Sequence, residues 1–355
     1  MSPARRPAVA CVMLAPGLGG LEQSLLDYCE ALALEGHPVE AVVHPRWAAL
    51  PALERLPLTA ITPLGNLNQW DPLAVRRLRR CLRASSPAAV LTIGRRAATL
   101  VRRARRRLAP LPQIGVTPNY SLQPLIGLDH VIATTADLRR ALLAAGQPAA
   151  RISVVPNLVR MPQDVACEAP DPAAPPVIGA LGRLIQRKGF ADLLDAAALL
   201  ASRGHQFELR IGGSGPAEAA LRAQAERLGL AHRVRFLGWV GDKRAFFEPL
   251  DVLCVPSREE PFGIVVLEGM AHGRAVVATA AAGPGEIISA GVDGLLVPPA
   301  SPAALADALA ALLEDPARRQ ALALAGRATA RARFDLPVVA ALISATIQRV
   351  VAERG

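Results

Sequence analysis

Two short segments of this sequence put charge and glycine where a phosphate-bearing ligand would be gripped. The first is Gly182-Arg183-Leu184-Ile185-Gln186-Arg187-Lys188-Gly189. It follows an apolar run at 177–181 and opens an amphipathic stretch at 190–202, in the order strand, loop, helix. Glycines let such a loop bring its backbone close to a ligand, and Arg183 and Lys188 can hold a diphosphate, one as a planar fork and one as a point charge. A helix start disfavours cations, so the pair calls for an anion nearby; two solvated surface charges are the plainer alternative. Of the 40 basic residues only Lys188 and Lys243 are lysine, in a chain otherwise saturated with arginine. The second segment is Glu259-Glu260-Pro261-Phe262-Gly263-Ile264-Val265-Val266-Leu267-Glu268, after a strand at 251–255. N–H groups at Ile264 and its neighbours would be open at the start of a helix, a ready anion site. Glu260 in the loop and Glu268 about a turn into the helix can accept hydrogen bonds from sugar hydroxyls, or simply complement the helix dipole.

Two glycine-rich turns carry less. Gly17-Leu18-Gly19-Gly20-Leu21-Glu22 follows the first strand and reads either as a phosphate-facing loop or as a tight turn. Gly212-Gly213-Ser214-Gly215-Pro216 also follows a strand, but Pro216 and a missing third glycine count against a dinucleotide fingerprint. A Rossmann-type oxidoreductase is therefore disfavoured. The sequence also contains no Asp-x-Asp pair that would hold a divalent metal, and no metal or other cofactor is expected.

Positioning these loops takes parallel sheets. Strands are expected at 8–14, 39–44, 88–93, 113–116 and 130–134, with helices at 21–35 and 136–145 and two more within 71–108 around the third strand. Six prolines between Pro156 and Pro176 then break the pattern and suit a linker. The alternation restarts with strands at 177–181, 208–211, 234–237, 251–255 and 275–278 and helices at 190–202, 217–228, 243–248 and 265–272; the last 55 residues read as helical. Strands alternating with helices imply two α/β units whose ligands sit at the carboxyl ends of the strands, facing a cleft between them. The expected domains are 1–165, 166–335 and a C-terminal helix at 336–355 packing back on the first.

Composition bounds the setting. No apolar run reaches the roughly 18–20 residues of a spanning helix, and the apolar N-terminal stretch reads as a strand rather than a leader. Cys11, Cys29, Cys81, Cys167 and Cys254 are odd in number and scattered, which points to a reducing, cytoplasmic setting. The net charge of +10 lies wholly in residues 1–165, with 20 arginines against 10 acidic groups. Residues 76–107 hold 12 arginines and no acid, a face suited to anionic lipid and possessing no aromatic pattern for nucleic acid. An arginine-biased solvated surface is the alternative.

Residues 181–300 resemble the donor-binding domain of the family-4, group 1 retaining glycosyltransferases of the GT-B fold. Besides both loops, the resemblance rests on Val234-Arg235-Phe236-Leu237-Gly238, Glu268-Gly269-Met270-Ala271-His272-Gly273, Gly283-Pro284-Gly285-Glu286-Ile287-Ile288 and Asp293-Gly294-Leu295-Leu296-Val297-Pro298-Pro299. In the first half, Gly19-Gly20-Leu21-Glu22 and Val154-Val155-Pro156-Asn157 match more loosely. The resemblance implies two facing Rossmann-like domains, the first binding the acceptor and the second a UDP- or GDP-sugar. It implies that Arg183 and Lys188 bind the diphosphate and stabilise charge on the departing nucleotide, and that Glu260 holds the donor sugar. Gly19, Gly20 and Gly182 would line the donor, Phe262, Gly263 and Ile264 would offer backbone N–H groups, and Glu268 would hold the ribose. The implied enzyme is a metal-independent, retaining hexosyltransferase of polysaccharide biosynthesis. Its implied acceptor is a lipid-linked glycan such as lipopolysaccharide or exopolysaccharide, met by a protein peripheral on the inner face of the plasma membrane. A soluble acceptor, or a non-catalytic binder of sugar nucleotides, is the alternative. One departure stands out: where many relatives carry a histidine, Gly115-Val116-Thr117-Pro118-Asn119-Tyr120-Ser121 has none, and Asn119 can hydrogen-bond a hydroxyl without serving as a base.

Overall fold

The structure is a computed structural model and describes residues 6–15, 20–117, 119–163 and 174–353. It divides into two compact units, 1–158 together with 336–355, and 159–335.

Unit 1 runs β1 (Val9–Met13), α1 (Gly20–Leu34), β2 (Val39–Val43), α2 (Leu50–Leu53), β3 (Ala60–Pro63), α3 (Pro72–Ser85), β4 (Ala89–Ile93), α4 (Arg95–Arg105), β5 (Gln113–Thr117), β6 (His130–Ala133), α5 (Ala136–Ala144) and β7 (Ile152–Val154). Its seven strands are parallel in the order β3-β2-β1-β4-β5-β6-β7. β1, β2, β4 and β5 are buried at every position, as apolar runs must be when helices cover both faces of a parallel sheet.

Unit 2 continues with β8 (Val177–Leu181), α6 (Phe190–Ser202), β9 (Glu208–Gly212), α7 (Glu218–Arg227), β10 (Val234–Gly238), α8 (Lys243–Phe247), β11 (Val252–Val255), α9 (Ile264–Ala271), β12 (Ala275–Thr279), α10 (Ala282–Ile287), β13 (Leu295–Val297), α11 (Pro302–Glu314) and α12 (Pro316–Phe334). The strand order is β10-β9-β8-β11-β12-β13, again all parallel. The last helix, α13 (Leu336–Ala352), belongs to unit 1, where Val339, Ile343, Ile347 and Val350 join the core beneath α1.

Both sheets reverse direction once, between β1 and β4 and between β8 and β11. At such a reversal two neighbouring loops leave the carboxyl edge in opposite senses and open a crevice. In unit 2 those two loops are 182–189 and 256–263.

The boundary between units falls at Leu158/Val159, earlier than the expected 165. Val159 is buried with Phe262 and Phe334, bridges to Asp335, and donates its N–H to Phe334 O at 2.8 Å. The middle of the proline-rich stretch, 164–173 with Cys167, lies outside the described residues. Cys11, Cys29 and Cys254 are buried thiols and Cys81 a half-buried one, none of them in a disulfide. No helix among the described residues is long and apolar enough to cross a membrane.

Candidate functional site

The loop after β8 reaches Lys188 through a single 3-10 turn, Gln186–Lys188, and then Gly189, the N-cap of α6. Gly189 has φ +69°, and a Cβ there would stand 1.9 Å from Pro256 O. No other residue lets the loops after β8 and β11 run backbone against backbone. Arg187 O accepts the N–H groups of Arg258 and Glu259 at 2.8 and 3.2 Å. The Arg258 guanidinium forks onto the buried Asp192 carboxylate at 2.8 and 2.7 Å, which closes the join from outside.

Clamped in this way, the loops bring the Lys188 ammonium into an ion pair with Glu260 Oε2, and Ser257 Oγ donates to the same oxygen at 3.2 Å. Both partners of the pair are largely withdrawn from solvent. Arg183 is exposed, and its guanidinium makes no ion pair or hydrogen bond among the described residues. It is therefore an uncompensated cation on the loop that holds Lys188. Gly182 donates its N–H to Gly212 O at 3.0 Å.

The turn 212–216 has a supporting part. A Cβ at Gly213, φ +120°, would lie 1.9 Å from Gly182 O, and one at Gly215 would lie 2.4 Å from Leu184 O. Leu184 donates to Ser214 O and accepts from Ala217 N–H, both at 3.0 Å. These glycines seat the turn beneath the Arg183 loop.

Past Glu260 the chain turns at Gly263, φ +97°, which caps α9 and makes Ile264 its first residue. In the first turn of α9 the Val266 N–H goes to Gly263 O at 2.9 Å, which leaves the N–H groups of Ile264 and Val265 without a partner in the helix. Phe262 turns its ring into the core, edge-on to Phe334 with centroids 6.3 Å apart, so its backbone alone can serve a ligand. A Cβ at Gly283 would be 2.1 Å from Phe262 O, and Gly283 N–H binds Glu260 O at 2.8 Å. Glu268 lies in the second turn of α9, 3.1 Å from Lys243 Nζ at the start of α8. Burial raises the Glu268 carboxyl above its usual range, while the Lys243 charge and hydrogen bond oppose that rise.

The structure thus brings Lys188 and Glu260 together, keeps Arg183 and Gly182 on the same loop, and places Phe262, Gly263, Ile264 and Glu268 along the neighbouring one. Gly19 lies outside the described residues, and Gly20 opens α1. Sequence reading left Lys243, Ser257 and the Asp192–Arg258 clamp unassigned. Lys243 carried a signal, being the second of two lysines; the others carried none.

In unit 1, Asn119 Oδ1 accepts the N–H of Ser121 at 2.9 Å and so closes its own turn; Pro118 lies outside the described residues. At the carboxyl edge, where this sheet reverses, Arg96 binds Asn66 Oδ1 at 3.1 Å and Asn66 donates to Leu14 O at 3.0 Å. Nearby His44 is held below its usual pKa by burial and then by the charges of Arg96 and Arg46.

Comparison with known proteins follows the same division. The family described as Glycosyl transferases group 1 matches residues 175–315, and Glycosyltransferase Family 4 matches residues 18–161. The chain is 27% identical to the lipopolysaccharide core biosynthesis glycosyltransferase LpsD of Rhizobium meliloti, over 95% of this chain and 97% of that one. It is 42% identical to the phosphatidyl-myo-inositol mannosyltransferase of Mycobacterium tuberculosis, over 48% of this chain and 46% of that one. Its fold is that of Anabaena HepE, solved in complex with UDP and glucose, with a TM-score of 0.80, 24% identity, and coverage of 96% and 99% of the two chains.

Proposed function

The chain belongs to the family 4, group 1 glycosyltransferases and has their GT-B fold of two Rossmann-like units, and from that premise we propose that it transfers a hexose, with retention, from a UDP- or GDP-sugar to a lipid-linked glycan. The observation that carries this reading is the Lys188–Glu260 pair beside an unpaired Arg183, at the reversal of the donor sheet. Breaking the bond between the anomeric carbon and the phosphate oxygen leaves negative charge on the diphosphate. Arg183 and Lys188, with the open N–H groups of α9, are the preorganised positive groups that would meet it. Glu260 exchanges part of its contact with Lys188 for the hydroxyls of the donor sugar.

A front-face course suits a first unit whose stretch 115–121, at the end of β5 and in the loop after it, has no histidine. The acceptor oxygen bonds to the anomeric carbon on the side the phosphate leaves, and the departing phosphate oxygen takes the acceptor's proton. With two cations and a helix start for the phosphates, the reaction needs no divalent ion. His44, Asn66 and Arg96 are the groups we assign to the acceptor. Relatives that build lipopolysaccharide core support a glycolipid acceptor, and a protein working on the cytoplasmic side of the plasma membrane meets such an acceptor where it is anchored.

Thermal unfolding with UDP, GDP, ADP and NAD tests the reading. A nucleotide at 100 times its Kd stabilises the native state by about 2.7 kcal/mol, a rise of several degrees. UDP or GDP should produce that rise in the wild type and not in Lys188→Ala. No shift with either diphosphate, or a shift with NAD alone, would refute the donor assignment.

A further inference from the structure

Glu40 is the second residue of β2, on the same face of the sheet as Val42, which is buried with Leu78 and Leu82 of α3. A carboxylate therefore stands where that packing calls for an apolar side chain. Glu40 is only 8% exposed, and its Oε1 accepts the Thr62 hydroxyl at 3.1 Å and the Cys81 thiol at 3.0 Å. Oε2 is buried and has no hydrogen-bond partner among the described residues. A buried carboxylate oxygen without a donor is unfavourable and rare, so the position calls for a donor from outside the chain.

The Glu40 side chain reaches the wall of a cavity of about 670 Å³ at the amino edge of the unit 1 sheet, where β1, β2, β3 and β4 begin and α3 ends. That volume suits a small organic molecule. The polar groups around it are acceptors. Ser85 Oγ gives its proton to Cys81 O at 3.2 Å, Ser86 Oγ to Arg83 O at 3.1 Å and Thr59 Oγ1 to Val39 O at 2.7 Å, which leaves each hydroxyl with lone pairs to offer. The carboxyl end of α3 adds the negative pole of its dipole. The one cation in the wall, Arg6, is held by Glu35 Oε2 at 3.4 Å and Ser344 Oγ at 3.3 Å. The apolar part of the wall includes Pro38, Ala60 and Pro87.

We propose that this cavity binds a small alkyl diamine, with one ammonium at the Glu40 carboxylate, the other at the Ser85 and Ser86 hydroxyls, and the methylene chain along Pro38, Ala60 and Pro87. An anion would meet a carboxylate and lone pairs. A metal ion fits less well, because one carboxylate among hydroxyls falls short of an oxygen cage, and no group of three His, Cys, Asp or Glu among the described residues could hold one. The cavity lies a strand's length, about 17 Å, from the carboxyl edge of the same sheet, so its ligand and a ligand of that edge do not compete. The proposal does not depend on the transferase reading, and its test contains neither donor nor acceptor.

The full chain is titrated calorimetrically with putrescine, with the corresponding diol and with magnesium chloride at matched ionic strength, and its melting temperature is followed with each. Putrescine should bind saturably at a single site and raise the melting temperature; the diol, equal in length and uncharged, should do neither. Glu40→Gln keeps the acceptor that Thr62 and Cys81 use and removes the charge. It should weaken putrescine binding at least about tenfold, the smaller loss expected for a hydrogen bond to a charged group. Ser85→Lys, at an exposed position in the last turn of α3, sets a cation of the chain's own at the rim. It should also lose putrescine, while its melting temperature without ligand holds or rises, which separates lost binding from lost fold. No saturable heat from putrescine, an equal response to the diol or to magnesium, or wild-type affinity in Glu40→Gln would overturn the proposal.

Discussion

Glu260 and the clamped loops fix the Lys188 ammonium, so on the proposed reading a donor meets a cation held in place rather than one searching for its position. A compact ammonium between a carboxylate and a diphosphate is not replaceable by a planar fork that needs two aligned acceptors. Lys188→Arg should therefore lower kcat by on the order of a hundredfold or more, as the loss of a group aimed at developing charge does. Lys243 is paired with Glu268 instead, the residue that on the proposed reading holds the ribose rather than the reacting sugar. Lys243→Met should raise the KM for donor roughly tenfold while leaving kcat nearly intact, the signature of binding that is uniform between ground and transition states. Removing that lysine also leaves burial unopposed at Glu268, so its carboxyl rises further and donor binding by the variant should weaken as pH falls. Steady-state kinetics across pH decide the matter; a kcat defect in Lys243→Met with KM unchanged would contradict the division.

Among the elements, the two loops at the sheet reversal act as one body because glycines let their backbones touch. Gly189→Ala would set a methyl group 1.9 Å from Pro256 O in a backbone conformation alanine resists. We expect it to part the loops, lower the melting temperature by several degrees and abolish the UDP or GDP shift; a variant that keeps both would show that the join is dispensable. The long buried strands and the two loops were legible in the sequence, since apolar runs and glycine positions are local features. β3 and β13 were not. The first is an edge strand of four residues ending in Pro63, half-exposed along its length, and the second has three residues. The Asp192–Arg258 clamp was beyond reach for a different reason: its partners are far apart in sequence, and nothing in either residue's neighbourhood announces the other. The arginine stretch shows the converse failure. Charge could be counted from the sequence, but which arginines bind carbonyls, as Arg79 does Ala104 O and Arg105 does Leu111 O, is decided by the fold.

For the whole molecule, the relevant fact is that unit 1 is completed by α13 after the chain has traversed all of unit 2. Ile343 is buried beneath α1, and His37 Nε2 lies 2.8 Å from Ser344 Oγ on the same helix. Ile343→Asp would bury an unpaired carboxylate there, at a cost of several kcal/mol. Calorimetry should then show the unit 1 transition moved to lower temperature, with a second transition that still responds to UDP or GDP. One merged transition, shifted as a block and deaf to nucleotide, would show that the units do not melt separately. The position of α13 also sets a timetable. A ribosome delivers residues 159–335 in full before the helix that closes the first core has been made, so the second unit has everything it needs while the first still waits. The half-built first core, missing Val339, Ile343, Ile347 and Val350, is the species a chaperone would find on the nascent chain, and it is relieved only when residues 336–352 have joined it.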